Sequence, residues 1–398
     1  MEAVKLLPQP KILQEWWQEV KENFFEEDAK PQVLKLVKEL MESTLNEEIT
    51  VYSGAQWHER TDNRTNYRNG FYERSLVTQF GLIEDIEVPR LRYGSFKTSA
   101  FRRYRRYQDI VEDLIQDIFL AGVSTRRVGA AISKLLDTKV SHGTVSRITR
   151  RLDSGVKEFH KRPIIDEYQY LFLDAINLKV RYNLKYCTRK VLCAYGITCF
   201  GQRHLLDFRQ AKGESQNAWE TIINNLYERG LKGKNLKLIT MDGSKALKAA
   251  ASLVYPDTPT QLCWAHKLRN VSNYCARKYQ EDCTKQAGKI YRQESRAQAV
   301  VEFKRWKKAW ENLCPKAVAC LERDLYRLIS FYDCPKKHWV KIRTTNVIER
   351  SFREIRRRTR VFSCFSNMAS CERIIYAIFT HLNNQWKAKP LKEFTQFC

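Results

Sequence analysis

The amino-terminal part of the chain changes from a helix-like to a strand-like pattern of hydrophobic positions. In segment 31–46 the apolar residues recur every three or four positions, which predicts an amphipathic helix. Segment 51–100 instead carries short strand-like runs, and Asn69-Gly70 is a dipeptide typical of a tight turn. We therefore predict an amino-terminal helical segment over residues 1–50 and a small β-containing module over residues 51–100.

Residues 109–152 return to helical spacing and divide into three short helices. Gly122 is placed to end the first helix, and Ser124 and Ser141 are placed to cap the second and the third. The third helix, predicted at 141–152, buries an apolar stripe and leaves polar side chains facing outward. These include Thr144, Arg147, Arg150 and Arg151.

From residue 169 onward the pattern predicts an α/β domain. The expected order is three strands, a helix, a strand, a helix and a strand, at residues 169–181, 190–198, 203–211, 215–230, 236–242, 244–255 and 258–266. This is the element order of an RNase H-like domain. Residues 268–340 are helical again. We therefore predict an RNase H-like domain in two parts, 165–267 and 341–398, that are separated by an all-helical insertion.

Two aspartates occupy matching positions in this predicted sheet. Asp174 lies inside an apolar strand, where a carboxylate is costly unless it is paired or bound to a metal. Asp242 lies where a strand passes into a helix, a common place for α/β functional sites. Asp242 could instead simply cap the helix that follows. Their matching positions favour a shared catalytic site.

Glu349 is the third candidate carboxylate, and its pattern allows two interpretations. Its spacing from Asn346 is that of a capping box, so Glu349 could only close the start of its helix. Arg353, Arg356 and Arg360 follow on the same helical face, however, and place a row of positive charge beside the carboxylate. Such a row could also be solvated surface, so it supports a functional site without deciding it.

Carboxylates of this kind suit chemistry on phosphodiesters with divalent cations. Mg²⁺ prefers carboxylate oxygens and keeps water and phosphate oxygens as its other ligands. Two ions about 3.5–4 Å apart can hold the attacking and the leaving oxygen of an in-line displacement. We expect two Mg²⁺ ions per site, for which Mn²⁺ can substitute.

The net charge of +25 predicts a polyanionic partner. Residues 1–60 hold 12 acidic and 7 basic side chains, so the basic excess belongs to the rest of the chain. A solvated basic surface is the alternative. The 12 cysteines form no CxxC pair, which indicates buried thiols in a reducing cytosol. We find no signal peptide and no membrane-spanning run, and we expect a cytoplasmic protein.

Three blocks of the sequence resemble bacterial insertion-sequence transposases of the Mutator superfamily. Segment 240–271 has the DG step, a helix, a proline and then the pattern Q-x-C-x-x-H-K-x-R-N. Segment 343–367 is similar to the TTN-x-x-E block with its following arginines. Segment 67–96 resembles the amino-terminal RNG…VPR block. The three blocks occur in the order of the family and span most of the chain.

This resemblance implies a DDE transposase whose triad maps onto Asp174, Asp242 and Glu349. Glu349 lies 107 positions after Asp242, which leaves room for the helical insertion of such enzymes. The resemblance also implies that Cys263 and His266 form a C-x-x-H element that supports the active site. A zinc site is the weaker interpretation of this pair, because zinc needs about four ligands. Within the same block, Lys267 and Arg269 are expected to contact DNA.

With this family in view, helices 109–152 are interpreted as a helix-turn-helix-like DNA-binding domain over 101–160. Its third helix would read terminal inverted repeats in the major groove; three helices that only pack together are the alternative. We expect a transposase that frees 3′-OH ends and joins them to double-stranded DNA, acts as a homodimer and associates with the bacterial nucleoid. A catalytically silent DNA-binding regulator and an RNase H-type nuclease without strand joining remain open.

Overall fold

The computed structural model divides the chain into two compact units, residues 1–149 and 150–398. Predictions for residues 1–28, for Gly122 and for Arg360 fall outside the residues that the structure describes. The described residues are 29–101, 105–121, 123–182, 185–359, 364–365 and 367–395.

The first unit begins with a helix packed on a two-stranded hairpin. Helix α1 spans Ala29–Ser53, longer than the predicted 31–46, and it contacts strand β2 (Gly81–Leu91), which pairs antiparallel with β1 (Arg68–Thr78). The core between helix and hairpin is apolar and is formed by Leu45, Leu76, Ile83, Ile86, Val88 and Phe101. Burial of these side chains against one face of the hairpin stabilises a sheet that two strands alone could not hold.

The predicted turn at Asn69-Gly70 is wrong. Gly70 lies inside β1 with φ +67°, where the pairing register shifts between Arg68 and Phe71. The chain reverses instead between Thr78 and Gly81, where Thr78 Oγ1 donates a 2.9 Å hydrogen bond to the Gly81 carbonyl. A glycine with positive φ serves a β-bulge as well as a turn, so the dipeptide alone could not distinguish the two.

Three short helices complete the first unit: α2 (Asp109–Leu120), α3 (Thr125–Leu136) and α4 (His142–Thr149). Both predicted serine caps are confirmed. Ser124 Oγ accepts from the Arg127 amide at 3.4 Å, and Ser141 Oγ accepts from the Thr144 amide at 3.1 Å.

The predicted third helix is too long. It ends at Thr149, and the chain turns at Arg150 and Arg151 before a separate helix, α5 (Leu152–Lys161), begins in the second unit. The apolar spacing ran on across this turn because α5 starts immediately after it.

The second unit is a mixed α/β domain built on a five-stranded sheet of order β5-β4-β3-β6-β7. The first three strands pair antiparallel, and the last two run parallel to β3. The predicted order of strands and helices is confirmed. The elements are β3 (Tyr168–Tyr182), β4 (Lys185–Thr198), β5 (Arg203–Ala211), α6 (Gln216–Glu228), β6 (Leu238–Met241), α7 (Lys245–Val254) and β7 (Thr260–Leu262).

The last predicted strand is shorter than expected. We predicted it over 258–266, but β7 ends at Leu262 and Cys263 is the N-cap residue of helix α8 (Trp264–Asn273). His266 therefore lies in the first turn of a helix. Helical residues follow at α9 (Gln280–Ala287), α10 (Arg296–Trp310), α11 (Pro315–Glu322), α12 (Leu325–Leu328) and α13 (Trp339–Ile342).

Three carboxy-terminal helices return to the sheet. These are α14 (Asn346–Thr359), α15 (Met368–Lys387) and α16 (Lys392–Thr395). Helix α15 packs against β5 and α5, whereas α14 contacts β3 and α15. This return brings the end of the chain beside the central strand. Among the described residues, no helix is long and apolar enough to cross a membrane.

Candidate active site

Asp174 lies on the central strand β3 and is almost completely buried. Its Oδ1 atom accepts a 2.8 Å hydrogen bond from the Ala175 amide, whereas its Oδ2 atom is buried and makes no hydrogen bond within the described part of the chain. Burial raises the pKa of Asp174 to about 6. A buried carboxylate oxygen without a donor is costly, so this position suits a cation.

Asp242 follows β6 at the position equivalent to Asp174. Met241 pairs with Leu173 in parallel register, so the two aspartates come next on neighbouring strands. Asp242 Oδ1 accepts from the Ser244 amide at 2.9 Å. Ser244 itself caps α7, so Asp242 is not the N-cap residue of that helix. Burial raises the pKa of Asp242, and the nearby Glu214 carboxylate adds to the shift.

Glu349 lies in the first turn of α14 and faces the sheet. Its Oε1 atom is 3.8 Å from His266 Nε2. Among the described residues, its side chain makes no hydrogen bond to the first amides of α14, as a capping box would require. The geometry therefore favours the functional interpretation of Glu349 over the capping one.

Asp174, His266 and Glu349 form one cluster. A ligand atom from each lies within 4.8 Å of the other two, an arrangement that could hold a metal ion. Asp242 does not belong to this cluster in the described residues, although its position on the neighbouring strand places it at the same edge of the sheet. The structure thus brings together two of the three predicted carboxylates and orients the third toward Ser244.

Cys263 links the two segments that carry His266 and Glu349. Its buried Sγ atom accepts hydrogen bonds from the amide and the hydroxyl of Thr345, each 3.3 Å long. Burial opposes the thiolate, but interactions with His266 and Thr345 lower the pKa of Cys263. Thr345 precedes α14, and nothing in its residue type marked it in the sequence as a partner of Cys263.

The charge of His266 is set by its neighbours. The adjacent Cys263 side chain raises the pKa of His266 to about 9, against the opposing effect of burial, and Asp174 and Glu349 add to the rise. His266 Nδ1 is buried beside the Cys263 side chain and makes no hydrogen bond of good geometry among the described residues. His266 is thus a cation beside two carboxylates.

A cleft of about 470 Å³ opens over this cluster. The predicted residues Arg269, Arg353 and Arg356 line it, as do Asn346 and Arg350, which the sequence analysis missed. Arg350 directly follows Glu349 and so falls outside the spacing of three or four residues that connects Glu349, Arg353 and Arg356, which is why the periodic pattern did not mark it. Four arginines beside the carboxylates of Asp174 and Glu349 make the cleft suitable for a phosphate-containing ligand.

Lys267 does not belong to this cleft, and its predicted role in binding DNA is wrong. Its side chain is 3% exposed. Its Nζ atom pairs with Asp324 at 2.5 Å and donates to the Cys320 carbonyl at 3.3 Å. One residue further along α8 turns the side chain about 100° away from His266. The sequence pattern HK could not show this difference.

The remaining predicted residues lie in or next to the first unit. Arg147 is exposed on α4, and Arg150 and Arg151 are exposed in the turn that follows it. Thr144 is half-buried, and its hydroxyl lies 3.1 Å from Ser141 Oγ within the helix cap. Arg147 is therefore accessible to a partner on α4, whereas the Thr144 hydroxyl is engaged in the helix cap.

Comparison with known proteins gives the family. Residues 13–389 match the family described as "Transposase, Mutator family". The chain belongs to the Mutator family of transposases. It is 33% identical over 352 residues to the transposase for insertion sequence element ISRM5 of Rhizobium meliloti (strain 1021), which covers 88% of each chain.

This Mutator-family transposase is also similar to the transposase for insertion sequence element IS406 of Burkholderia multivorans (strain ATCC 17616 / 249). The identity is 34% over 342 residues, or 85% of this chain and 87% of that protein. Among solved structures, the Drosophila P element transposase strand transfer complex matches 73% of this chain and 82% of that chain. The sequence identity is 12% and the TM-score is 0.30, so the likeness is slight.

Proposed function

We propose that this protein is a DDE-type DNA transposase, with Asp174, Asp242 and Glu349 as its metal-binding carboxylates. The observation that carries the proposal is the buried Asp174 Oδ2 atom, which accepts no hydrogen bond of good geometry from the described residues. It lies in a cluster with Glu349 beneath an arginine-lined cleft. Carboxylates on two neighbouring strands and on a returning helix support an RNase H-like catalytic domain.

The donor set fits Mg²⁺, with Mn²⁺ as a substitute. Asp174 and Glu349 offer carboxylate oxygens within one cluster, and Asp242 offers another from the neighbouring strand. When bound, two such ions would stabilise the attacking and leaving oxygens of a phosphodiester. Loss of hydration raises the pKa of both Asp174 and Asp242, and bound cations would relieve this cost.

The protein's own cationic groups would hold the DNA at this site. Arg269, Arg350 and Arg353 line the cleft and suit phosphate oxygens, which contribute affinity without sequence preference. His266 lies beside the carboxylates and would donate a hydrogen bond to a phosphate or to the departing oxygen. In this role it supports the reaction without ligating a metal.

Recognition of the element ends belongs to the helices α2–α4 in this proposal. Exposed Arg147 on α4 suits a guanine edge in the major groove. Double-stranded DNA, both element ends and target, is the proposed partner, and the protein would act as a homodimer on the bacterial nucleoid. Freed 3′-OH ends would then be joined to target DNA.

The test is strand cleavage and joining by the purified full chain on labelled element-end DNA with Mg²⁺. Asp174→Asn and Glu349→Gln should each lower cleavage by at least about a hundredfold while DNA binding persists. Glu354→Gln is the matched control, because Glu354 lies on the same helix, pairs with Arg357 and does not line the cleft.

Three outcomes would contradict the proposal. Full cleavage by Glu349→Gln would remove that residue from the metal-binding set. Cleavage of DNA without any joined product would indicate an RNase H-type nuclease, and specific binding without cleavage would indicate a DNA-binding regulator.

A further inference from the structure

A second large pocket lies in the first unit, outside the site described above. It encloses about 1060 Å³ between the loop after α1 and the start of β1. The loop is fixed at its base, where Thr65 donates its amide to the Ser53 carbonyl at 2.9 Å. Gly54 has φ +69°, and a Cβ there would lie 2.1 Å from the Asn63 carbonyl oxygen, so the loop closes tightly on itself.

Three large aromatic rings face this pocket and remain about half exposed. Trp57 is 47% exposed, Phe71 43% and Tyr67 53%. Trp57 stacks on Phe71 with ring centroids 5.7 Å apart and planes within 8°. The bulge at Gly70 alters the pairing of β1 just before Phe71. Rings held in place yet left open to solvent favour a stacking ligand.

Arginines stand beside these rings. Arg68 donates to Thr50 Oγ1 at 2.6 Å, and its Cζ lies 5.5 Å from the centre of the Trp57 ring. Arg64 donates to the Gln56 carbonyl at 3.2 Å and lies 5.2 Å from the Tyr67 ring centre. Arg60 also lines the pocket and is exposed. These contacts order two of the three cations next to the rings.

The acidic side chains of the pocket do not cancel this charge. Glu59 Oε2 accepts a 2.6 Å hydrogen bond from the Gln56 amide, which uses one of its oxygens inside the loop. Asp62 is exposed. Three arginines against two acids leave the lining cationic.

We propose that this pocket binds unpaired nucleotides of DNA. Bases stack on exposed aromatic rings and phosphates pair with adjacent arginines, a combination typical of single-strand binding. In a duplex the bases are stacked on one another, so their faces are not available to stack on these rings. A proline-rich peptide could use the rings but would leave the arginines without an anionic partner. The inference rests on the proposed function only in taking DNA as the partner.

The test measures binding of the full chain to two fluorescent probes, oligo(dT) of about 12 nucleotides and a duplex of equal length. The Asp174→Asn variant in EDTA serves as the background, so that cleavage plays no part. Trp57→Ala should weaken oligo(dT) binding about tenfold and change duplex binding less than about twofold. Trp57→Phe keeps a stacking ring and should restore oligo(dT) binding to within about threefold.

Tyr326→Ala is the matched control, because Tyr326 is 77% exposed on α12 and lies outside the pocket. This variant should bind both probes with unchanged affinity. The ratio of oligo(dT) affinities between the background protein and Trp57→Ala should be the same at high salt. Salt weakens phosphate contacts but does not affect stacking. Circular dichroism of each variant checks that the fold survives.

Three results would overturn the inference. These are equal losses on both probes, an unchanged affinity of Trp57→Ala for oligo(dT), and a pocket that binds a proline-rich peptide but not oligo(dT). The proposed function fails separately: absence of cleavage by the unmodified chain would leave a selective effect of Trp57→Ala on oligo(dT) intact.

Discussion

Cys263 Sγ accepts two hydrogen bonds from Thr345, and this contact fixes the start of α8 against the residue that precedes α14. His266 and Glu349 project from those two helices and meet at 3.8 Å. We therefore expect the Cys263 thiol to act as a positioning group for this cluster.

Replacing this thiol should impair cleavage more than binding. Cys263→Ala leaves the buried Thr345 amide without a partner, a cost of about 1–3 kcal/mol, and loosens Glu349 relative to His266. A misplacement of about 1 Å at a reacting group can lower the rate by roughly 10–100-fold. We expect such a loss in strand cleavage, with DNA affinity changed less than about twofold. Single-turnover cleavage and binding measured side by side provide the comparison.

Two further variants separate positioning from general damage. Cys263→Ser retains an acceptor and should recover much of the cleavage rate. Cys283→Ala removes another buried thiol, on α9 outside the cleft, and should leave cleavage unchanged. Equal losses in Cys263→Ala and Cys283→Ala would mean that the thiol matters only for folding.

Lys267 should matter for stability and not for DNA binding. Lys267→Met removes the nearest cation of the buried Asp324, which Arg327 still contacts at 3.0 Å. The loss of stability should therefore be smaller than the about 3–5 kcal/mol typical of a buried charge left without any partner. Urea unfolding should show this loss, and the correctly folded variant should bind DNA with unchanged salt dependence. The double variant Lys267→Met with Asp324→Leu should be more stable than the single one.

The stabilisation by the Lys267–Asp324 pair should decrease in acid. Burial alone would raise the pKa of Asp324, but the pairing with Lys267 keeps this pKa below its ordinary value of 3.8. The stabilisation is therefore fully present above the unfolded-state value and is lost as the pH falls through the lower folded-state value. The gap in unfolding free energy between wild type and Lys267→Met should shrink in acid. A constant gap would contradict the pairing.

The cleft arginines should contribute affinity that depends on salt and not on sequence. Log affinity for duplex DNA should fall linearly with log salt, and Arg353→Ala or Arg356→Ala should reduce the slope by about one each. Arg305→Ala, on α10 outside the cleft, is the control and should leave the slope unchanged. A variant at Arg353 with an unchanged slope would remove that residue from the DNA path.

Arg147 should instead contribute sequence preference. Arg147→Ala should weaken binding to the element's own ends by roughly tenfold and binding to random duplex much less, because a guanine contact contributes about 1–3 kcal/mol. Arg126 is exposed on the neighbouring helix α3, and Arg126→Ala should show no such selectivity. Equal losses on both DNAs would show that α4 contacts only the backbone, and specificity would then be sought in residues 51–100.

Most of the correct predictions concern features that depend on residues close together in sequence. The apolar run around Asp174 and the strand-to-helix step at Asp242 were enough to predict the two neighbouring strands and the positions of their aspartates. This was possible because strand burial and helix capping depend on residues close together in sequence. The direction of Lys267 and the contact of Thr345 with Cys263 depend on segments far apart in sequence, so no local pattern revealed them. The bulge at Gly70 was missed because turns and bulges share the same glycine chemistry.

The return of α14 to β3 also sets the order in which the site can be made during synthesis. Asp174 and His266 are translated well before Glu349, which follows the helices α8–α13. A chain interrupted within those helices keeps both strand aspartates but lacks the third carboxylate. The cluster can therefore form only after the segment that carries Glu349 has left the ribosome, and a product terminated before this segment would lack one of the three cluster residues.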